Sequence, residues 1–378
     1  MLYNKFGNTG TKISALGFGC MRLPEYQRDG KWFIKEELAV PLLQKAYQSG
    51  VNYFDTAFYY CNENSEIVVG KALQGVRDKV HIATKIPLDH HVESTKDYRK
   101  MLELQLTKMG LDYIDFYHFW GINLDCYENK IEKLGLLKEA LKAKDEGLIK
   151  HISFSFHDDP KNMKVIIDRA EILESVLCQY NLLDRSNEEA IKYAASKGLG
   201  VVAMGPVAGG RLVAPTNLSE KVAGGKQLAN YELAFKFVLG NPNIDCALSG
   251  MENLDMLEKN LQAAGNSEPI TELEQKRIAA SMTELKKFSD LYCTGCNYCQ
   301  PCPANINIPA IFNSFTLHNV YGLSGAAKKA YSEYNANNPT VDACTGCGVC
   351  KEKCPQKIDI PAQLKRVDKV LKDLYSQL

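Results

Sequence analysis

Through its first 265 residues the chain alternates two patterns of apolar and polar positions. One is a short run, apolar at nearly every position and rich in β-branched and aromatic residues: VNYFDTA, VHIATK, YIDFYHF, KHISFSF, SVLCQY, LGVVAMG and IDCALSG. The other is longer and spaces its apolar residues at helical intervals, as in EELAVPLLQKAYQSG, DYRKMLELQLTKMG and NKIEKLGLLKEALKAKDEG. A strand that is apolar all round must be covered on both faces, which is the condition of a parallel sheet. ALGFGCM, ahead of the first helical pattern, supplies one more strand and completes eight strand–helix units. Eight units in ~250 residues predict an α/β fold of the (β/α)8 TIM-barrel type. An open doubly wound sheet is the alternative, but no G-x-G-x-x-G opens the first helix. The leading KFGNTG–TKISA predicts a hairpin turning at Gly7, Asn8 and Gly10, placed to plug the bottom of the barrel.

The texture changes after Gly265. GNSEPITELEQKRIAASMTELKKFSD predicts a turn and then a helix. Beyond it come helical segments around SFTLHNVYG, SGAAKKAYSEY and IPAQLKRVDKVLKDLYSQL, joined by cysteine-rich runs. The expected organisation is a barrel over residues 1–265, a linker helix over 266–290 and a second, mostly helical domain over 291–378.

Composition narrows the partners. The 45 basic and 45 acidic residues balance, which leaves no electrostatic reason to expect nucleic acid or an anionic membrane. No apolar run approaches the ~20 residues of a membrane helix, and the N-terminus has no apolar signal core. A cytoplasmic protein is expected. Of 13 cysteines, Cys20, Cys61, Cys126, Cys178 and Cys246 stand alone, and the rest lie between Cys293 and Cys354. Clustered thiols in a chain with no export signal point to metal rather than disulfides.

The two runs are CTGCNYCQPCP, from Cys293, and CTGCGVCKEKCP, from Cys344. The second is the bacterial ferredoxin pattern C-x2-C-x2-C-x3-C-P, in which the fourth cysteine ligates the other cluster. The first is one residue shorter before its last cysteine. Crossing the fourth ligands gives Cys293, Cys296, Cys299 and Cys354 to one [4Fe–4S] cluster, and Cys344, Cys347, Cys350 and Cys302 to a second. Gly295, Gly346 and Gly348 let the backbone wrap closely around them. Two tetrahedral zinc sites are the alternative, but zinc pairs are usually separated C-x2-C units, whereas an i, i+3, i+6 run suits one corner of a cubane. The long helical segment between the runs resembles the α-helical type of two-cluster ferredoxin.

In a barrel the C-terminal strand ends carry function. Asp55 ends FDTA, Tyr60 follows in AFYY, Lys85 ends VHIATK and His118 ends DFYHF. Singly, each has an ordinary reading: a loop tyrosine, a rim ion pair, a satisfied rim histidine. Together, in register with successive strands, FDTA-x-x-Y, ATK and FYH resemble the tetrad of the aldo/keto reductases. The resemblance covers the whole barrel, including the hairpin, KHISFS, CQYN and MGPVAGGRL.

That resemblance implies roles. Tyr60 would protonate a carbonyl oxygen as hydride arrives at carbon. A free phenol, with pKa ~10, is a poor acid at neutral pH, and the Lys85 ammonium would favour its ionised form. Asp55 would hold Lys85, and His118 would orient the carbonyl. Phe58, Tyr59, Phe119 and Trp120 imply an aromatic rim. For the cofactor, Ser155 and Gln179 match the residues that hold a nicotinamide carboxamide, while Phe156 stands in place of the usual asparagine. Met204 occupies the position of a stacking aromatic. Gly205, Pro206, Gly209 and Gly210 would cover a pyrophosphate, with Arg211 adding charge, unless the run is a plain glycine-rich turn. The adenosine end falls on Gly250, Met251, Met256, Lys259 and Asn260, and Asn260 alone matches clearly. NADP, NAD or a flavin therefore all remain open.

The expected function is reduction of an aldehyde or ketone with NAD(P)H, alongside two [4Fe–4S] clusters that are structural or regulatory. Hydride carries two electrons and a cluster passes one. The alternative is thus a flavin-linked or partner-linked electron-transfer protein, with a redox partner protein beside the small-molecule carbonyl substrate. A third class, a non-catalytic binding scaffold, is disfavoured by the complete tetrad.

Overall fold

The computed structural model describes residues 1–28, 31–213, 229–265, 271–280 and 291–376. Twelve strands occur among them: β1 (Tyr3–Lys5), β2 (Lys12–Ser14), β3 (Leu16–Gly19), β4 (Glu25–Arg28), β5 (Lys31–Ile34), β6 (Tyr53–Asp55), β7 (His81–Ile86), β8 (Ile114–Ile122), β9 (Ile149–Phe156), β10 (Ser175–Gln179), β11 (Gly200–Met204) and β12 (Cys246–Gly250). Eight of them close a barrel in the order β10-β11-β12-β3-β6-β7-β8-β9. Every neighbouring pair is parallel. These are the eight apolar runs of the sequence. Strands β3, β6 and β10 are buried at every position, as a sheet covered by helices outside and side chains inside requires.

The hairpin β1–β2 is antiparallel, with Tyr3 opposite Ser14. It leads Phe6 into the barrel, where the ring is fully buried against Tyr53 and Phe116, at centroid distances of 6.0 and 5.0 Å. Ile13, Ala83 and Val202 join the same interior cluster. The plug expected from KFGNTG is therefore a packed aromatic core. A second antiparallel hairpin, β4–β5, pairs Glu25 with Ile34 and Arg28 with Lys31. The sequence reading passed over it because its side chains are mostly exposed, so no continuous apolar run marks it. Its one signal is Asp29-Gly30, a hairpin-turn dipeptide that lies outside the described residues.

By packing, the chain divides into two compact units: Met1–Val207 with Tyr231–Ile270, and Ala208–Asn230 with Thr271–Leu378. The sequence boundary at residue 265 did not anticipate that Ala208–Asn230 goes with the C-terminal unit. Of the expected linker helix, Glu272–Ala280 is helical, and residues 266–270 and 281–290 lie outside the described residues. The C-terminal unit is built on helices Ile308–Asn319, Ser324–Asn337 and Ile360–Ser376. Asn307 caps the first by accepting from the Ala310 amide at 3.2 Å. Phe312, Phe315, Tyr331, Leu364 and Val367 form its core. Among the described residues no helix is long and apolar enough to cross a membrane.

Candidate active site

Strand register brings three of the four tetrad residues to one end of the barrel. Asp55 closes β6 opposite Ala83 of β7, and Lys85 of β7 lies opposite His118 of β8. Asp55, Lys85 and His118 are at most 1% exposed. Tyr60 is half-buried in the loop between β6 and the helix Ser65–Leu73. The three residues after it, Cys61, Asn62 and Glu63, all have left-handed backbone, with φ of 51°, 52° and 66°. Such conformations cost roughly 1–3 kcal/mol each and persist where surrounding contacts impose them. Here the contacts include Thr56 donating to the Ser65 hydroxyl at 2.8 Å, and the Ser65 amide donating to the Tyr60 carbonyl at 3.2 Å.

Lys85 Nζ donates to Asp55 Oδ1 and, at 2.7 Å, to the Thr56 carbonyl. It also lies 4.7 Å from the centre of the Tyr60 ring. Burial pushes the Asp55 carboxyl up and the Lys85 amine down, and each partner's charge opposes the shift in the other. Burial, reinforced by the positive charge of Lys85, lowers His118 to about 3, with a weaker opposing pull from the Phe154 backbone. The imidazole is neutral at ordinary pH. Neither ring nitrogen makes a hydrogen bond of good geometry among the described residues, so the ring can donate to a ligand oxygen.

Behind Lys85 runs a polar network that sequence reasoning missed. Gln105 Nε2 donates to the Lys85 carbonyl at 3.1 Å and to Glu66 Oε1 at 2.5 Å. Glu66 also accepts from Thr84 at 2.7 Å and pairs with Lys108 at 2.9 Å. Tyr117 donates to Gln105 Oε1 at 2.6 Å. Glu66 and Gln105 are fully buried, and the sequence signal was weak: a lone polar residue on a helix reads as its solvated face. Of the expected aromatic rim, Phe58 and Phe119 are core residues at 5% and 2% exposure. Tyr59 and Trp120 are half-buried, with ring centroids 5.4 Å apart, and Trp120 meets Tyr60 edge-on at 5.7 Å. Tyr59 also bonds Asp89 and, at 2.8 Å, His91 Nδ1.

The eight clustered cysteines surround two cavities in the C-terminal unit. Cys293, Cys296, Cys299 and Cys354 line one, with Ile308 and Phe312. Cys302, Cys344, Cys347 and Cys350 line the other, with Pro361 and Leu364. All eight are free thiols. Burial raises the Cys293 thiol, while the Gly295 amide aimed at it pulls it back down. That approach needs the left-handed turn at Gly295, φ 66°. Four sulfurs around each apolar cavity, with a backbone amide directed at one of them, are a donor set suited to an iron–sulfur cube.

A model of the aldo/keto reductase family matches residues 15–282. The chain belongs to the aldo/keto reductase family. A model of the 4Fe-4S dicluster domain matches residues 292–358, so this aldo/keto reductase carries an iron–sulfur domain at its C-terminal end. It is 28% identical to the uncharacterized oxidoreductase YqkF of Bacillus subtilis, covering 74% of this chain and 95% of that one. It is 29% identical to L-galactose dehydrogenase of Arabidopsis thaliana, covering 71% and 88%. Among solved structures, aldo-keto reductase AKR11C1 from Bacillus halodurans, in its holo form, superposes with a TM-score of 0.62 at 26% identity, covering 74% and 96%. The chain is thus an oxidoreductase of this family, acting on a small molecule.

At the residues where the family resemblance implied a dinucleotide, this aldo/keto reductase is uneven. Ser155, at 2% exposure, already accepts from the Gly121 amide at 2.6 Å, which leaves its own proton to donate. Gln179 ends β10 opposite Met204, and Gly205 follows with left-handed backbone at φ 66°. A Cβ at Gly205 would stand 3.0 Å from Gln179 Oε1, and its carbonyl accepts from Asn181 at 2.9 Å. Pro206 is buried. Gly209, Gly210 and Arg211 belong instead to the C-terminal unit. Arg211 does not stand as a free charge for a pyrophosphate. It is 3% exposed and donates to the Leu291 carbonyl and, at 3.2 Å, to the Thr316 hydroxyl. At the adenosine end Met251 is fully buried, and Asn260 donates to Ser249 at 3.1 Å, tying the helix Leu254–Gly265 to β12 beside Gly250.

Proposed function

We propose that the barrel reduces the carbonyl of a small aldehyde or ketone, and that the C-terminal cysteines hold two [4Fe–4S] clusters. A bound reduced nicotinamide would supply hydride to the carbonyl carbon. Tyr60 gives its proton to the carbonyl oxygen, so the product is the alcohol and the nicotinamide is left oxidised. As the proton leaves, negative charge on the phenol is balanced by Lys85, which the buried Asp55 carboxylate holds in place. Neutral His118 donates to the carbonyl oxygen and fixes its direction. Ser155 and Gln179 would hold the carboxamide, with Met204 and Gly205 beside them.

The observation that carries this reading is the position of Lys85 Nζ, bonded to Asp55 and 4.7 Å from the centre of the Tyr60 ring. Anaerobically purified Tyr60→Phe protein tests it. Loss of nicotinamide-dependent carbonyl reduction with full iron content supports the assignment, and undiminished turnover rejects it.

A second reading is favoured by one observation, the engagement of Arg211 within the C-terminal unit. It takes a cation away from the expected pyrophosphate loop. In that reading the barrel holds a flavin and exchanges single electrons with the clusters or a redox partner. A yellow chromophore released on denaturation would select it.

A further inference from the structure

The strand that carries Lys85, β7, leads through a loop to the helix Thr95–Met109. Loops at this end of barrel strands are where function sits. The loop is held at its far end. Val92 is fully buried, and Ser94 caps the helix by accepting from the Asp97 amide at 3.2 Å. Between the strand and these anchors, Asp89, His90 and His91 stand together at the surface. One carboxylate oxygen and one ring nitrogen from each histidine all lie within 4.8 Å of one another.

Hydrogen bonding accounts for two of the three. Asp89 Oδ1 is 2.7 Å from His91 Nδ1 and accepts from the His91 amide at 3.1 Å. Asp89 Oδ2 accepts from the Tyr59 hydroxyl, which is itself 2.8 Å from His91 Nδ1. The His91 ring rests edge-on against Phe58, with centroids 5.6 Å apart. His90 is different. Its side chain is 82% exposed, and among the described residues its ring makes no hydrogen bond: Nδ1 stands 3.8 Å from Asp89 Oδ2. The ring nevertheless lies over that of His91, 4.1 Å between centroids and tilted by 38°, with Nδ1 towards the same carboxylate. Two imidazoles converging on a carboxylate and a phenol hydroxyl are a donor set for a borderline transition-metal ion. Around an ion with bonds of about 2.0–2.1 Å, neighbouring donors sit about 3–3.5 Å apart, within the span of 2.7 to 3.8 Å seen here. The nearby Lys130 ammonium donates to the Asp89 carbonyl and pairs with Glu93 at 3.3 Å, so its charge is already met.

We propose that Asp89, His90 and His91 form a site for a divalent transition-metal ion of the nickel and zinc class, with the Tyr59 hydroxyl as a further oxygen. The ion takes the place of the proton shared by His91 Nδ1 and Asp89 Oδ1, and the imidazole carries its remaining proton on Nε2. The Tyr59 ring is 5.4 Å from Trp120, which meets the Tyr60 ring edge-on at 5.7 Å. An ion here ties the β7 loop to the aromatic residues beside Tyr60, and Trp120 reports its arrival.

The experiment is a titration of the anaerobic full-length protein with nickel chloride, followed by calorimetry and by tryptophan fluorescence. Of the two tryptophans, Trp32→Phe removes the exposed one on β5 and leaves Trp120. In that background paramagnetic nickel should quench Trp120 to saturation. His90→Ala should weaken this binding by about tenfold or more, the usual cost of losing a residue that merely supports a metal ligand, and His91→Ala by at least as much. The loop's own hydrogen bonds do not use the His90 ring, so a purely structural loop would be indifferent to the first variant. Nickel should raise the melting temperature of the parent and not of the variants. Magnesium, which favours oxygen donors in an octahedron, should not compete. Equal nickel affinity in His90→Ala and its parent would overturn the proposal, as would unquenched Trp120. Nickel taken up by the cysteines is common to parent and variants and cancels in the comparison. No activity assay enters, so the result is independent of the proposed carbonyl reduction.

Discussion

Lys85 Nζ lies 4.7 Å from the centre of the Tyr60 ring while it bonds Asp55, and both charged partners are 1% exposed. One cation thus serves a buried carboxylate and a half-buried phenol. The two neighbours predict different failures. Tyr60→Phe removes the phenol hydroxyl, the proposed proton donor, and leaves the ion pair. It should lower kcat/KM by ~10^2–10^4, the usual worth of a positioned acid, with the melting temperature unchanged. Lys85→Met strands Asp55 in the barrel and should cost about 3 kcal/mol or more of stability besides activity. Steady-state kinetics and urea unfolding on both variants separate the effects. Equal destabilisation by both would contradict the arrangement.

His118 predicts a pH dependence of stability. Its folded-state value of about 3 lies below the ordinary histidine value, so between about pH 3 and 6.5 the unfolded chain binds the proton and the folded chain does not. Stability contributed by the neutral ring is therefore complete above about pH 6.5 and lost progressively as pH falls towards 3. His118→Gln should flatten this part of the profile relative to wild type in urea unfolding between pH 4 and 7. The same shift means that His118 should contribute no ionisation to kcat/KM across that range.

The barrel was legible because strands covered on both faces read as unbroken apolar runs, and the pattern located all eight. The exposed hairpin β4–β5 left only the Asp-Gly dipeptide. The neighbourhood of Asp55, Lys85 and His118 was legible because polar residues at the ends of apolar strands stand out, whereas Glu66 and Gln105 lie on helices where polar residues are ordinary. Arg211 was unreadable for a topological reason. Its partner, the Leu291 carbonyl, is 80 positions away, and nothing local shows that a glycine-rich loop packs on the cysteine run rather than on a ligand.

In the proposed reduction, the choice of nucleotide follows from charge at the residues where the family resemblance puts the adenosine end. From Gly250 to Asn260 the chain carries Glu252, Asp255, Glu258 and a single cation, Lys259, which pairs with Asp255 at 2.6 Å. Burial, and then the charge of Glu252, raises the Glu25 carboxyl above its ordinary value, so two acids share this region. Carboxylates repel a 2′-phosphate but accept a hydrogen bond from a free ribose hydroxyl. NADH should therefore exceed NADPH in kcat/KM by about tenfold or more, a difference of about 1.4 kcal/mol. Glu252→Lys should narrow that ratio without changing kcat. A wild-type preference for NADPH would rule out this account.

The lining of the two cavities predicts a crossed pattern of iron loss. Cys302 lines the cavity of Cys344, Cys347 and Cys350, although Cys293, Cys296 and Cys299 are nearer in sequence, and Cys354 lines the cavity of those three. Paired substitutions expose the crossing. Cys302→Ala with Cys344→Ala damages one cubane twice, so the chain should retain about four of about eight irons. Cys302→Ala with Cys293→Ala damages both cubanes and should strip nearly all iron. If each run served its own cluster, the outcomes would exchange: the first pair would empty the domain and the second would leave one cluster intact. Anaerobic iron determination on the two double variants distinguishes these outcomes. It needs no activity assay, and it reads out ligand topology independently of what the barrel reduces.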